Sequence, residues 1–152
     1  MMKNITRASI EDAATILELQ KLAYQSEAQL YNDFSIPPLT QTLEELRSNF
    51  AHAVFLKAEN EGEIIGSVKG HQASDTCYIE RLIVHPNYQG QGIGTALMEQ
   101  IELCFEQAER FELFTGHKSE RNVHLYERLG YRTFKSEEIT KTLSFVFMEK
   151  HK

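Results

Sequence analysis

The spacing of apolar positions divides the chain into elements. Residues 3–8 read as a short strand, and Ser9 before Ile10-Glu11-Asp12 has the form of a helix N-cap with an acidic first turn. Apolar Ala13, Ile16, Leu17 and Leu19 follow at near-helical spacing, which predicts a helix to about Gln29. The stretch DFSIPPLT interrupts it with two prolines, and Thr42 with Glu45 has capping-box spacing ahead of a short helix to Phe50. From Ala53 the period falls to two. AVFLKAE and EIIGSVKGH flank Asn60-Glu61-Gly62 as a hairpin, and TCYIERLIV is a further strand ending at His85-Pro86. Strict alternation along it sets Tyr78, Glu80 and Leu82 on one sheet face. GTALMEQIELCFEQAER then reads as one amphipathic helix with Leu97, Ile101, Cys104, Phe105 and Ala108 along a face. RFELFTG returns to strand. Ser119 caps a helix through Arg128, Gly130 ends it, and YRTFKSE and TKTLSFVFMEK are the last strands. The order β-α-α-β-β-β-α-β-α-β-β predicts a mixed α/β sheet.

Length and charge narrow the picture. The 152 residues fit one domain, 1–152, without repeats or a linker. A net charge of −6 argues against nucleic acid or an anionic membrane as partner and is compatible with cationic substrates. No apolar run reaches the ~20 residues of a membrane span, and MMKNITRASIED has no signal-peptide core. Cys77 and Cys104 form no C-x-x-C pair; Cys104 is expected to pack on its helix face and Cys77 to lie near the sheet rim. Together these features predict a reducing, cytoplasmic setting.

The stretch VHPNYQGQGIGTALM raises the chemical question, because Gly90, Gly92 and Gly94 sit between a strand and a helix. Helix N-termini present unpaired N–H groups, and glycines let an anion approach them. A phosphate-binding P-loop would need Lys-Ser/Thr after its last glycine, where Thr95-Ala96 stands; G-x-G-x-x-G fails at Thr95 or Leu97. A glycine turn without a ligand is the alternative. QGQGIG, Gln89 to Gly94, matches Q/R-x-x-G-x-G/A, and here the chain resembles the GCN5-related N-acetyltransferases (GNAT). IERLIVHPNYQGQGIGTALM is similar to that family's fourth strand, loop and third helix, and NVHLYERLGY to its fourth helix and sixth strand.

The resemblance implies a single-domain mixed sheet of six to seven strands flanked by about four helices. It implies acetyl-coenzyme A as co-substrate, a primary amine of a small molecule or peptide as acceptor, and direct attack in a ternary complex. The coenzyme's pantetheine arm would pair with the backbone of Leu82, Ile83 and Val84. Its pyrophosphate would sit on N–H groups of Gln89, Gly90, Gln91, Gly92, Ile93, Gly94 and Thr95. Tyr126 corresponds to the family's general acid and would also touch the coenzyme; the bland reading is an aromatic packed in the core. Glu80 is the candidate base, or else a partner of Arg81 or Lys69. The fifth-strand position that supplies the base in other members is about Phe114, which cannot act. The family's coenzyme-contacting Asn falls at Ser119, with Asn122 a turn later; either could instead cap the helix. Tyr24, Glu27, Tyr31, Asp33 and Phe34 fall where the acceptor would be recognised. His117 and His124 lack metal-ligand spacing, so no metal is expected. A non-catalytic acyl-coenzyme A binding module is the alternative function. The apolar strand LSFVF could pair with a second copy in a homodimer.

Overall fold

The computed structural model describes residues 4–152, so Lys3 of the expected first strand lies outside the described residues. Seven strands among them form one sheet in the order β1-β2-β3-β4-β5-β7-β6. β1 (Asn4–Arg7), β2 (Val54–Asn60), β3 (Glu63–Ala73) and β4 (Thr76–Val84) are an antiparallel meander. β5 (Arg110–Gly116) runs parallel to β4. β7 (Ser144–His151) lies between β5 and β6 (Arg132–Glu138), antiparallel to both. Among the described residues the α-helical segments are α1 (Ala13–Ala23), α2 (Gln25–Tyr31), α3 (Pro37–Thr40), α4 (Leu43–Asn49), α5 (Ile93–Leu103) and α6 (Glu120–Arg128). None is long and apolar enough to cross a membrane.

Both faces of the central strands are buried. Ile65 and Val68 of β3 and Cys77 and Ile79 of β4 pack with Leu97, Met98 and Ile101 of α5. On the other face Ile16 and Leu19 of α1 and Leu46 of α4 meet Phe55, Ile64 and Ile83. That double covering explains why β3 is buried almost continuously rather than at alternate positions. Cys77 is therefore fully buried at the centre of the sheet and not at its rim. Gly70 permits the contact: a methyl there would meet Phe105 at 3.0 Å and Ile101 at 3.2 Å.

Local signals set several boundaries. Thr42 Oγ1 accepts from Glu45 N at 3.1 Å, and Thr42 N donates to Glu45 Oε1 at 2.8 Å, the reciprocal cap of α4. The β2–β3 turn places Glu61 and Gly62 at φ 53° and 81°, a pair of left-handed residues that follows the twist of its strands. Gly130, at φ 97°, ends α6 as expected. Tyr131 then leads into β6 and is 2% exposed, a core residue.

Other boundaries move. The helix expected to Gln29 breaks at Tyr24 and resumes as α2, reaching Tyr31. The long helix after the glycines stops at Leu103. Cys104 N, Phe105 N and Ala108 N then bond carbonyls three residues back, in tighter turns than an α-helix. That winding keeps Phe105 and Ala108 inside but turns Cys104 out to solvent, against the expectation that it packs. The LSFVF strand is not an edge: β7 is flanked on both sides, so its backbone is spent on β5 and β6. At this end of the sheet the edge is β6, whose residues are all exposed.

Candidate functional site

The site originates in two parallel strands that part. β4 and β5 pair only at Thr76↔Arg110, Cys77↔Phe111 and Tyr78↔Glu112, although β4 continues to Val84 and β5 to Gly116. Beyond Tyr78 the β5-facing backbone edge of β4 has no strand partner among the described residues.

A bulge sets what β4 shows to this cleft. Its register on β3 runs from Lys69↔Glu80 to Ser67↔Ile83, so two residues, Arg81 and Leu82, oppose Val68. Arg81 carries the turn at φ 56°. The extra residue reverses the alternation. Before it, Ile79 faces α5; after it, Leu82 and Val84 do, and Ile83 points to α1. Tyr78, Glu80 and Leu82 therefore do not share a face: Leu82 is opposite to Glu80.

Two cavities occupy the cleft. The first, about 420 Å³, runs along Leu82, Ile83 and Val84 and over the glycine loop onto the start of α5, with Arg121, Leu125 and Arg128 of α6 as its far wall. Gly90 and Gly92 adopt φ 77° and 83°, where an L side chain is strained, and a methyl on either would meet nothing within 4 Å. The loop therefore offers bare backbone to open space. Gly92 caps α5, so the N–H groups of its first turn have no helical acceptor. Arg121 donates to Gln89 Oε1 at 2.6 Å, which places a guanidinium at the same end. Unpaired N–H groups, a helix N-terminus and two arginines give surroundings whose chemistry suits a polyanion. Gln89, Gly90, Gly92, Ile93, Gly94 and Thr95 all line this groove; Gln91 does not, and its side chain faces solvent.

The second cavity, about 250 Å³, lies between α2, the α2–α3 connection, and the ends of β4, β5 and β7. Tyr24, Glu27, Leu82 and Asn122 line both cavities and mark where they meet. Tyr126 and Glu80 line the second only. Tyr126 is 7% exposed, and its hydroxyl has no hydrogen-bond partner among the described residues. Burial, with Tyr24 and Glu27 adding to it, pushes its phenol well above the ordinary tyrosine range. Glu80 is half-buried, and its nearest ionic contact is His71 Nδ1 at 3.9 Å. Lys69 faces Glu80 across the strands but donates to Asn49 at 2.9 Å.

A latch closes the back of the second cavity. Ser119 Oγ donates to Glu27 Oε2 at 2.6 Å, and Asn122 Nδ2 donates to Glu27 Oε1 at 3.3 Å. Ser119 has one proton, so the Tyr31 hydroxyl donates to it at 2.8 Å while accepting from Lys118 N at 2.9 Å. Ser119 thus makes no side-chain cap to α6 and does not reach the first cavity. Of the other acceptor candidates, Asp33 turns back to Ser35 and Phe34 is exposed; neither lines the cavity. Arg121 and Arg128 carry no signal in the sequence reading, and Arg81 enters it only as a possible partner of Glu80.

The sequence pattern of the acetyltransferase (GNAT) family matches residues 14–131. The UPF0157 protein YqkA of Bacillus subtilis is 29% identical over 120 residues, 79% of this chain and 34% of that protein. Acetyltransferase ECA0875 of Pectobacterium atrosepticum is 33% identical over 91 residues, 59% of this chain and 64% of that protein. The matched stretches thus span less than two thirds of either relative. PaiA N-acetyltransferase from Thermoplasma acidophilum, solved in complex with coenzyme A, matches with a TM-score of 0.83 over 100% of both chains. At 19% identity that likeness is one of fold.

Proposed function

The chain belongs to the acetyltransferase (GNAT) family, and on that premise we propose that it transfers the acetyl group of acetyl-coenzyme A to a primary amine by direct attack in a ternary complex. The observation that carries this reading is the parted β4–β5 pair, where a glycine-lined polyanion groove and a smaller cavity meet at Leu82 and Asn122. The groove fits the coenzyme. The free backbone edge of Leu82, Ile83 and Val84 suits the amides of its arm. The N–H groups from Gln89 to Thr95 suit its pyrophosphate, with Gln91 contributing backbone alone. Asn122 faces the arm from the other wall, whereas Ser119 acts through Glu27.

The bound co-substrate supplies an activated thioester carbon; the chain supplies placement and proton traffic. A neutral amine forms the nitrogen–carbon bond, and the carbon–sulfur bond breaks. A strand N–H near Leu82 receives the negative charge that builds on the carbonyl oxygen. Tyr126 gives a proton to the departing sulfur. Its raised pKa keeps it a phenol at neutral pH, so it donates and does not act as a base. Glu80, directly or through water, takes the proton that the acceptor's ammonium must lose before it attacks, and the nitrogen's second proton leaves to water.

Titration calorimetry tests the first half of this reading. Acetyl-coenzyme A should bind without added metal and raise the melting temperature. Gly92→Glu sets an anion in the groove and should abolish both effects. Gly92→Ala carries the same backbone strain without the charge and should retain weaker binding. Thiol release across a panel of amines tests the second half. Binding without thiol release from any amine would leave a non-catalytic acyl-coenzyme A module; no binding by folded protein would overturn the reading.

A further inference from the structure

Arg81 stands in the wall of the second cavity, and its Nε is buried without a hydrogen-bond partner. Its guanidinium makes no salt bridge with any carboxylate among the described residues. Lys69 feels both the Arg81 cation and the Glu80 carboxylate, and the nearest ionic contact of Glu80 is His71 Nδ1 at 3.9 Å. The Tyr24 hydroxyl beside the guanidinium is neutral, because burial raises its pKa more than Arg81 lowers it. A partly buried cation without a direct ion-pair partner is unfavourable. Arg81 also holds φ 56°, a backbone region that non-glycine residues occupy at a cost. An orphaned buried donor, an unpaired charge and a strained backbone thus coincide at one residue of the cavity wall.

The rest of the cavity has the complementary pattern. Glu27 lies where the two cavities meet, its carboxylate fixed by Ser119 and Asn122. Ile36, Pro37, Phe114 and Phe145 give an apolar wall, and about 250 Å³ suits the body of one small molecule.

We propose that the acceptor is a small amine that also carries a carboxylate, an amino-acid-like zwitterion whose carboxylate is bound by Arg81 and whose amine turns to Glu27 and the junction. This rests on the acetyl-transfer reading above. The ammonium first gives a proton to Glu80, directly or through water. The neutral nitrogen then takes the acetyl group and gives up a second proton to water, while the coenzyme sulfur gains one from Tyr126. The product is an N-acetylated carboxylate: the positive charge that Glu27 attracts is gone, and the charge that Arg81 holds remains.

Matched pairs of acceptors isolate the carboxylate: leucine against 3-methylbutylamine, phenylalanine against phenethylamine, lysine against cadaverine. Thiol release from acetyl-coenzyme A gives kcat/KM for each. The wild type should favour the amino acid of at least one pair by about 10- to 100-fold, the scale of charge-assisted hydrogen bonds. In Arg81→Gln that ratio should fall towards one, chiefly through KM of the amino acid. Arg81→Lys keeps the charge but loses the planar fork and should retain an intermediate ratio; it carries the test if Arg81→Gln does not fold. Wild type that binds coenzyme and acetylates amines without preferring the carboxylate partner in any pair overturns this inference and leaves the transferase reading standing. So does a ratio that Arg81→Gln leaves unchanged. Folded protein that neither binds the coenzyme nor releases thiol overturns both.

Discussion

Gly116→Ala adds one methyl at the point where α2 is pinned to the end of β5. Gly116 has no positive φ, so alanine meets no backbone strain there. The obstacle is Tyr31. The new Cβ would fall inside the van der Waals surface of the Tyr31 hydroxyl, 2.5 Å from Cζ and 3.0 Å from Cε2. Tyr31 is 4% exposed and cannot turn aside without leaving its hydrogen bonds to Ser119 and Lys118. Overpacking of this kind costs about 1–3 kcal/mol, and each lost hydrogen bond about 1 kcal/mol more. With one of the two bonds lost the expected destabilisation is about 2–4 kcal/mol, or roughly 5–15 °C in Tm for a chain of this size. Urea unfolding of four proteins measures it: wild type, Gly116→Ala, Tyr31→Ala and the double variant. Tyr31→Ala is itself destabilising, but it removes the ring that the methyl strikes. In its background Gly116→Ala should cost less than about 0.5 kcal/mol, leaving a coupling near 2 kcal/mol. Tyr31→Phe should not relieve the clash, because Cζ remains. An equal penalty in both backgrounds, or stability of Gly116→Ala within about 0.5 kcal/mol of wild type, would refute the latch.

Three further outcomes are expected. Tyr126→Phe should lower turnover on a confirmed amine by ~10²-fold or more when proton donation limits the rate, with coenzyme affinity little changed; a loss seen in Tyr24→Phe and not in Tyr126→Phe would move the donor to the junction residue. Glu80→Gln should depress turnover most near neutral pH and less at high pH, where more amine is already neutral; superimposable pH–rate profiles of equal height would leave water as the proton acceptor. Cys104 should react with an aromatic disulfide reagent in the native protein and Cys77 only on unfolding, since burial pushes the Cys77 thiol up to about 12. The folded chain keeps that proton where the unfolded chain, titrating near 9, has lost it, so Cys77 makes stability fall as pH rises from about 9 to 12. Equally fast labelling of both thiols would contradict this.

Much of the architecture was legible because it is local. The Thr42–Glu45 cap, the Glu61-Gly62 turn and the glycines ahead of α5 each act within a few residues, where backbone sterics and orphan N–H groups decide the outcome. The strand–glycine–helix order pointed to the groove over the start of α5 for the same reason. The site beyond that groove is made by distant parts of the chain. Glu27 and Ser119 are 92 residues apart, and no periodicity announces that they bond. Helix periodicity predicted an inward Cys104, but a few tighter turns sufficed to turn it out.

Alternation along TCYIERLIV is a property of one strand, and it assigns Glu80 and Leu82 to one face. The bulge at Arg81 is a property of two strands in register, since it exists only where two residues of β4 oppose one of β3. It reverses every side chain after it, sets Leu82 on the face opposite Glu80, and leaves Arg81 strained in the cavity wall. The place of β7 is decided in the same way. Its apolar sequence made it a strand, but hydrogen bonding to β5 and β6 made it an inner one. Sequence by itself determined which segments become helix or strand and where backbone N–H groups lie bare, because those follow from each residue's own sterics and near neighbours. Tertiary structure alone decided which charges share the cleft, because a strand's facing and a side chain's partner depend on the register of chain that lies far away in sequence.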